Sequence, residues 1–190
     1  MIERTSGVRI PIATVVVVMA IQICASALAG TPVLIRDINT LGLGSTPHDF
    51  VEIDDVVYFV ADDGEAGMEL WKSDGSLGGT ELVKDICTGC SANPAHLTAA
   101  GNTLFFQATD NANGTELWKS DGTESGTVLV RDVRPGGVGS FPQELAAVGN
   151  SVYYRAQDGA TGYELWKSDG TSAGTVQVKD IFPGATSSTP

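Results

Sequence analysis

The chain has 190 residues, 42% of them apolar and 18% charged, a balance that suits one folded domain and excludes a wholly disordered protein. Eleven basic side chains face 23 acidic ones, for a net charge of −12. A field of that sign repels a phosphate backbone, which excludes nucleic acid as a partner and disfavours anionic membrane surfaces.

At the N-terminus Arg4 and Arg9 precede an apolar run from Ile10 to Ile23, and the small residues Ala25-Ser26-Ala27-Leu28-Ala29 follow. This is the pattern of a secretory signal peptide, residues 1–29, cut after Ala29. The run is shorter than the roughly 20 apolar residues a membrane anchor needs, so no membrane attachment is expected after cleavage. Cys24 does not read as a lipidation site, because Gln22 and Ile23 are not the small residues such processing requires. Loss of Glu3, Arg4 and Arg9 takes the formal charge to −13. The expected location is extracytoplasmic, secreted or at the cell surface.

Val33 to Ile38 reads as the first strand, and a repeat occupies everything after it. Glu-Leu-Trp-Lys-Ser-Asp-Gly occurs at Glu69 to Gly75, Glu116 to Gly122 and Glu164 to Gly170, so Trp71, Trp118 and Trp166 are spaced by 47 and 48 residues. Asp37, Asp85, Asp132 and Asp180 keep the same beat, as do Pro47, Pro94, Pro142 and Pro190. The distance from each proline to the next closing aspartate is always 38 residues, so all length variation falls in one loop. That loop, with Cys87-Thr88-Gly89-Cys90 and Pro135-Gly136-Gly137, is expected to lie outside the core. The units are approximately 39–86, 87–133 and 134–181, followed by a truncated unit, 182–190, in a repeat region spanning 30–190.

Each unit carries four strand signals, which in the second are His96 to Ala100, Thr103 to Thr109, Thr115 to Ser120 and Val128 to Val133. Gly101-Asn102, matched by Gly149-Asn150, joins the first pair, and both residue types accept the positive φ of a tight hairpin. Ser-Asp-Gly, with Asp74-Gly75, Asp121-Gly122 and Asp169-Gly170, turns the third strand into the fourth. Val56 to Val60, Leu104-Phe105-Phe106 and Val152-Tyr153-Tyr154 are apolar on both faces, as strands sandwiched between sheets require. The predicted fold is all-β, a partial propeller-like array of four-stranded antiparallel units of about 47 residues, with thirteen strands in all. Three units do not close a ring, which normally takes about 4 to 8. Further repeats or self-association are therefore expected as partners.

These residues resemble the bacterial ELWxxDGT repeat family, whose signature is Glu-Leu-Trp, two residues, then Asp-Gly-Thr. Gly-Thr follows at Gly79-Thr80, Gly126-Thr127 and Gly174-Thr175, and the one departure is Ser76 in place of threonine. The resemblance implies large exported proteins of tandem β-repeats with propeller-like form and no established catalytic activity.

Candidate chemistry is sparse. Trp71, Trp118 and Trp166, flanked by Leu70, Leu117 and Leu165, read as blade-to-blade packing rather than a sugar-stacking surface. Asp63, Asp110, Asn111, Asn113 and Asp158 are calcium candidates, although turn formation alone accounts for these residue types. Cys87 and Cys90 suit a small disulfide in an oxidising compartment, with zinc or redox chemistry as the alternatives. His48 and His96 stand at different offsets from their prolines and read as surface or loop histidines. No catalytic motif is present, and no cofactor beyond possible calcium is expected. The expected function is a secreted, non-catalytic module for extracellular protein or glycan interaction; the alternative is a part of a propeller-type hydrolase or lyase.

Overall fold

The computed structural model describes residues 32–188. The signal peptide assigned to residues 1–29 lies outside the described residues. Twelve strands form among them and no helix. They are β1 (His48–Ile53), β2 (Val56–Asp62), β3 (Met68–Ser73), β4 (Glu81–Lys84), β5 (Ala95–Ala100), β6 (Thr103–Asp110), β7 (Gly114–Ser120), β8 (Val128–Arg131), β9 (Gln143–Val148), β10 (Ser151–Gln157), β11 (Tyr163–Ser168) and β12 (Val176–Lys179). Consecutive strands pair antiparallel into three four-stranded sheets, β1-β2-β3-β4, β5-β6-β7-β8 and β9-β10-β11-β12. The all-β, partial propeller-like array read from the repeat is the observed architecture.

One tight turn sets each register. In the second and third units the positive φ falls on Gly101 (59°) and Gly149 (60°), while in the first Asp54 (51°) and Asp55 (63°) both adopt it. Aspartate tolerates this region because its short side chain bonds locally. The resulting registers place Phe59 opposite Trp71, Phe106 opposite Trp118 and Tyr154 opposite Trp166, one aromatic cross-strand pair per unit.

The sheets approach one another along their first strands, β1 to β5 and β5 to β9, and stack face to face farther out. Leu70, Val83 and Ile86 of the first unit pack against Leu104, Phe106 and Trp118 of the second. Leu117, Val130 and Val133 of the second pack in the same way on Val152, Tyr154 and Trp166 of the third. Leu70 and Leu117 thus face the following unit, and Trp118 and Trp166 the preceding one. Burial on both faces explains why β2 and β6 are apolar without alternation.

Three expectations are corrected. Val33 to Ile38 is not a thirteenth strand, because the fourth-strand position it matches pairs only with a third strand of its own unit, and among the described residues none lies beside it. Cys87 is not outside the core; it is buried beside Ile86 and Ala92 against the second sheet, although Pro135, Gly136 and Gly137 are exposed as expected. Leu165 is only half-buried, unlike Leu70 and Leu117, since no fourth sheet among the described residues covers it.

Candidate functional site

The glutamate of each Glu-Leu-Trp lies in mid-strand, where a charge needs partners or a shifted pKa. Glu69, Glu116 and Glu164 are all 0% exposed. Each accepts hydrogen bonds from the loop leading to the next unit. Glu69 takes Ile86 N at 3.1 Å, Ala92 N at 3.0 Å and Cys87 N at 3.4 Å. Glu116 takes Arg134 N at 3.0 Å and the Ser140 hydroxyl. Glu164 takes Ile181 N at 3.0 Å and Ser188 N at 3.2 Å. A buried carboxylate therefore ties every unit to its outgoing loop.

Their proton affinities diverge. Burial pushes Glu69 up to about 7, against the opposing pull of the backbone bonds from Ile86, Ala92 and Cys87. Burial likewise raises Glu116 to about 6, opposed by the Ser140 hydroxyl and by Arg134 and Val133 N–H groups. At Glu164 burial also pushes upward, but the bonds from Ile181, Ser188 and Phe182 outweigh it and the carboxyl sits below its ordinary value. Among the described residues no sheet backs this last loop, so the low-dielectric surroundings are thinner.

The Ser-Asp-Gly turn closes through a network that is nearly identical in all three units. In the second, Asp121 Oδ1 accepts Thr123 N at 2.9 Å and Thr123 Oγ1 at 2.7 Å, and Ser120 Oγ accepts Gly122 N at 2.9 Å. Thr123 Oγ1 also accepts Gly126 N at 2.9 Å, while Thr127 Oγ1 donates to Thr123 O at 2.7 Å. The hydroxyls of Ser76, Thr123 and Thr171 hold Asp74, Asp121 and Asp169 below the usual carboxylate range. Ser76 makes the same bonds as the threonines, so that departure leaves the turn intact. A Cβ on Gly126 would lie 2.0 Å from Asp121 Oδ1, which explains why glycine precedes the motif's second threonine.

The calcium candidates also serve turns. Asp63 Oδ1 accepts Glu65 N and Ala66 N, Asp110 Oδ1 accepts Ala112 N and Asn113 N, and Asp158 Oδ1 accepts Ala160 N and Thr161 N. Asn113 Nδ2 donates to Asp110 Oδ2 at 2.8 Å, and Asn111 Oδ1 lies 3.4 Å from Cys90 Sγ. Among the described residues no group of three or more His, Cys, Asp or Glu side chains is placed to hold a metal ion. Cys87 and Cys90 are joined in a disulfide, with their Cα atoms 5.2 Å apart. Trp71, Trp118 and Trp166 are buried in the inter-unit packing, as the repeat implied.

One row of residues escaped the sequence reading. Each first strand is interrupted by an irregularity in pairing, between His48 and Val51, between Ala95 and Thr98, and between Gln143 and Ala146. Within it Asp49 (φ 54°), His96 (φ 58°) and Glu144 (φ 56°) occupy the same backbone position in the left-handed region. All three are exposed. Bulges re-aim side chains and concentrate at functional rims. The signal was available in the spacing: each residue stands two places after its proline, at a position where repetition of chemistry fails while repetition of backbone holds. The chain matches no family model, and a search of curated proteins finds no match.

Proposed function

We propose that this protein is an exported, non-catalytic repeat module of the ELWxxDGT kind, with a scaffold of repeated side chains and a variable rim that contacts an extracellular protein or glycan. The observation that supports this reading is a division of roles. The motif's carboxylates, Glu69, Glu116, Glu164, Asp74, Asp121 and Asp169, are engaged in hydrogen bonds that hold loops and turns. Asp49, His96 and Glu144 differ from unit to unit, are exposed, and sit on the strands by which the sheets meet.

The test is a glycan array and surface cross-linking with the secreted chain, alongside a triple variant carrying Asp49→Asn, His96→Gln and Glu144→Gln. Binding is expected to weaken at least about tenfold in the variant while the melting temperature stays within about 2 °C, because the three side chains bury little. The second reading, a part of a propeller hydrolase or lyase, is favoured by the same symmetry-breaking row of titratable groups. Turnover of a glycan by the unaltered chain, lost in the triple variant, would replace the first reading with the second.

A further inference from the structure

Residues 33–47 copy a piece of a unit whose remaining strands are not found beside them among the described residues. Val33-Leu34-Ile35-Arg36-Asp37 differs from Val128-Leu129-Val130-Arg131-Asp132 at a single position. The copy extends to contacts. Arg36 Nη1 donates to Thr80 O in the following sheet, as Lys84 Nζ does to Thr127 O at 2.9 Å and Arg131 Nη1 to Thr175 O at 2.7 Å. Ile38 packs on Phe59, Ala61 and Trp71, the place Ile86 and Val133 take on the next two sheets. Asp62 N donates to Ser45 O, matching Thr109 N to Ala92 O and Gln157 N to Ser140 O. Asn39 and Ser45 are buried.

Two things that the complete units possess are missing here among the described residues. Lys84, Arg131 and Lys179 each pair with the motif leucine of a third strand, Leu70, Leu117 and Leu165, whereas Arg36 faces none. The N–H groups of Ile38, Asn39 and Ser45 occupy the places of Ile86, Cys87 and Ala92, which Glu69 binds. Among the described residues they donate to no acceptor. The interface repeated at two junctions is thus continued here, without its glutamate-bearing strand.

We infer that residues 33–47 are the closing strand and loop for a further three-stranded sheet of repeat polypeptide, whose Glu-Leu-Trp strand pairs with Val33–Arg36 and sets its glutamate under Ile38, Asn39 and Ser45. A second copy of this chain is not the occupant, because each of its three glutamates already holds a loop of its own. The inference rests on the repeat architecture and not on any ligand reading, so it stands or falls separately from the proposed function.

The test adds a polypeptide of residues 142–175, the first three strands of a unit with its turn, to the full chain. Native mass spectrometry is expected to show a 1:1 complex, and hydrogen exchange at the amides of 33–39 and 45 is expected to slow at least about tenfold. Glu164→Gln in the added polypeptide should reverse most of that protection. The same segment joined directly ahead of Pro32 keeps the result readable if the free polypeptide folds poorly. Unchanged exchange in both arrangements would overturn the inference, and so would protection of these amides by dimerisation of the chain alone.

Discussion

Two faces of this array are closed and one is open, and the same residues sit at all three. Val83 and Val130 are 5% and 7% exposed; Val178, their counterpart in the last unit, is 45% exposed. Ile86 and Val133 are each 8% exposed, against 51% for Ile181. The side chains are alike and the backbone is alike, so the difference comes from the neighbour. In this fold a unit supplies half a core, and its worth is set by what stacks on it.

The glutamates give the sharpest test of that comparison. Glu69→Ala is expected to lower the unfolding free energy by about 4 kcal/mol, since it opens a cavity and leaves three buried N–H groups without an acceptor. Glu164→Ala should cost roughly half as much, about 2 kcal/mol, because water reaches the loop of Ile181 and Phe182 and solvates the freed donors. Urea unfolding of both variants measures the difference, and equal losses would show that the open face does not matter at this position.

Smaller losses, with a contrast of the same size, are expected from the leucines. Leu117→Ala should cost about 3 kcal/mol and Leu165→Ala about 1 kcal/mol, as the first removes a side chain packed on both sides and the second one that is half in water. The same unfolding measurement decides it.

Acidity acts with opposite signs at the two ends. Glu69 holds its proton in the folded state up to about pH 7, whereas the unfolded chain releases it near 4.5, so its contribution to stability falls as pH rises between those values. The slope is about 1.4 kcal/mol per pH unit for one proton. Glu164 is lowered, so its contribution is present above 4.5 and is lost as pH falls below that value. Urea midpoints from pH 3 to 8 for Glu69→Gln, Glu164→Gln and the unaltered chain separate the two trends.

Much of the fold was legible in the sequence, because its signals are local. In the second unit the expected strands differ from β5, β6, β7 and β8 by no more than two residues at any end. Gly-Asn and Ser-Asp-Gly turns need only their own residues, so their chemistry is written where it acts. What escaped depends on neighbours. Val33 to Ile38 has the composition of a strand, but a strand exists only when another lies beside it. The loop residue Cys87 is buried because Glu69, eighteen positions earlier, draws its backbone inward. Glu69, Glu116 and Glu164 stood in plain view inside the motif, and a carboxylate recurring within an apolar strand was itself a sign of buried partners. Asp49, His96 and Glu144 share no chemistry, so only a shared backbone conformation could align them.

The order of strands within each sheet, one after another along the chain, carries a consequence for how such a protein forms and changes. Paired strands are always neighbours in sequence, so each sheet closes with small loops and can begin folding at any point in the series. Cooperation between sheets then passes only to the adjacent one. A gene that duplicates or drops one whole period leaves every surviving hairpin with its own partner, and lengthening costs nothing in topology. Mutation within a period has no such freedom, which is why length here changes by entire modules or within the single loop that ends in proline.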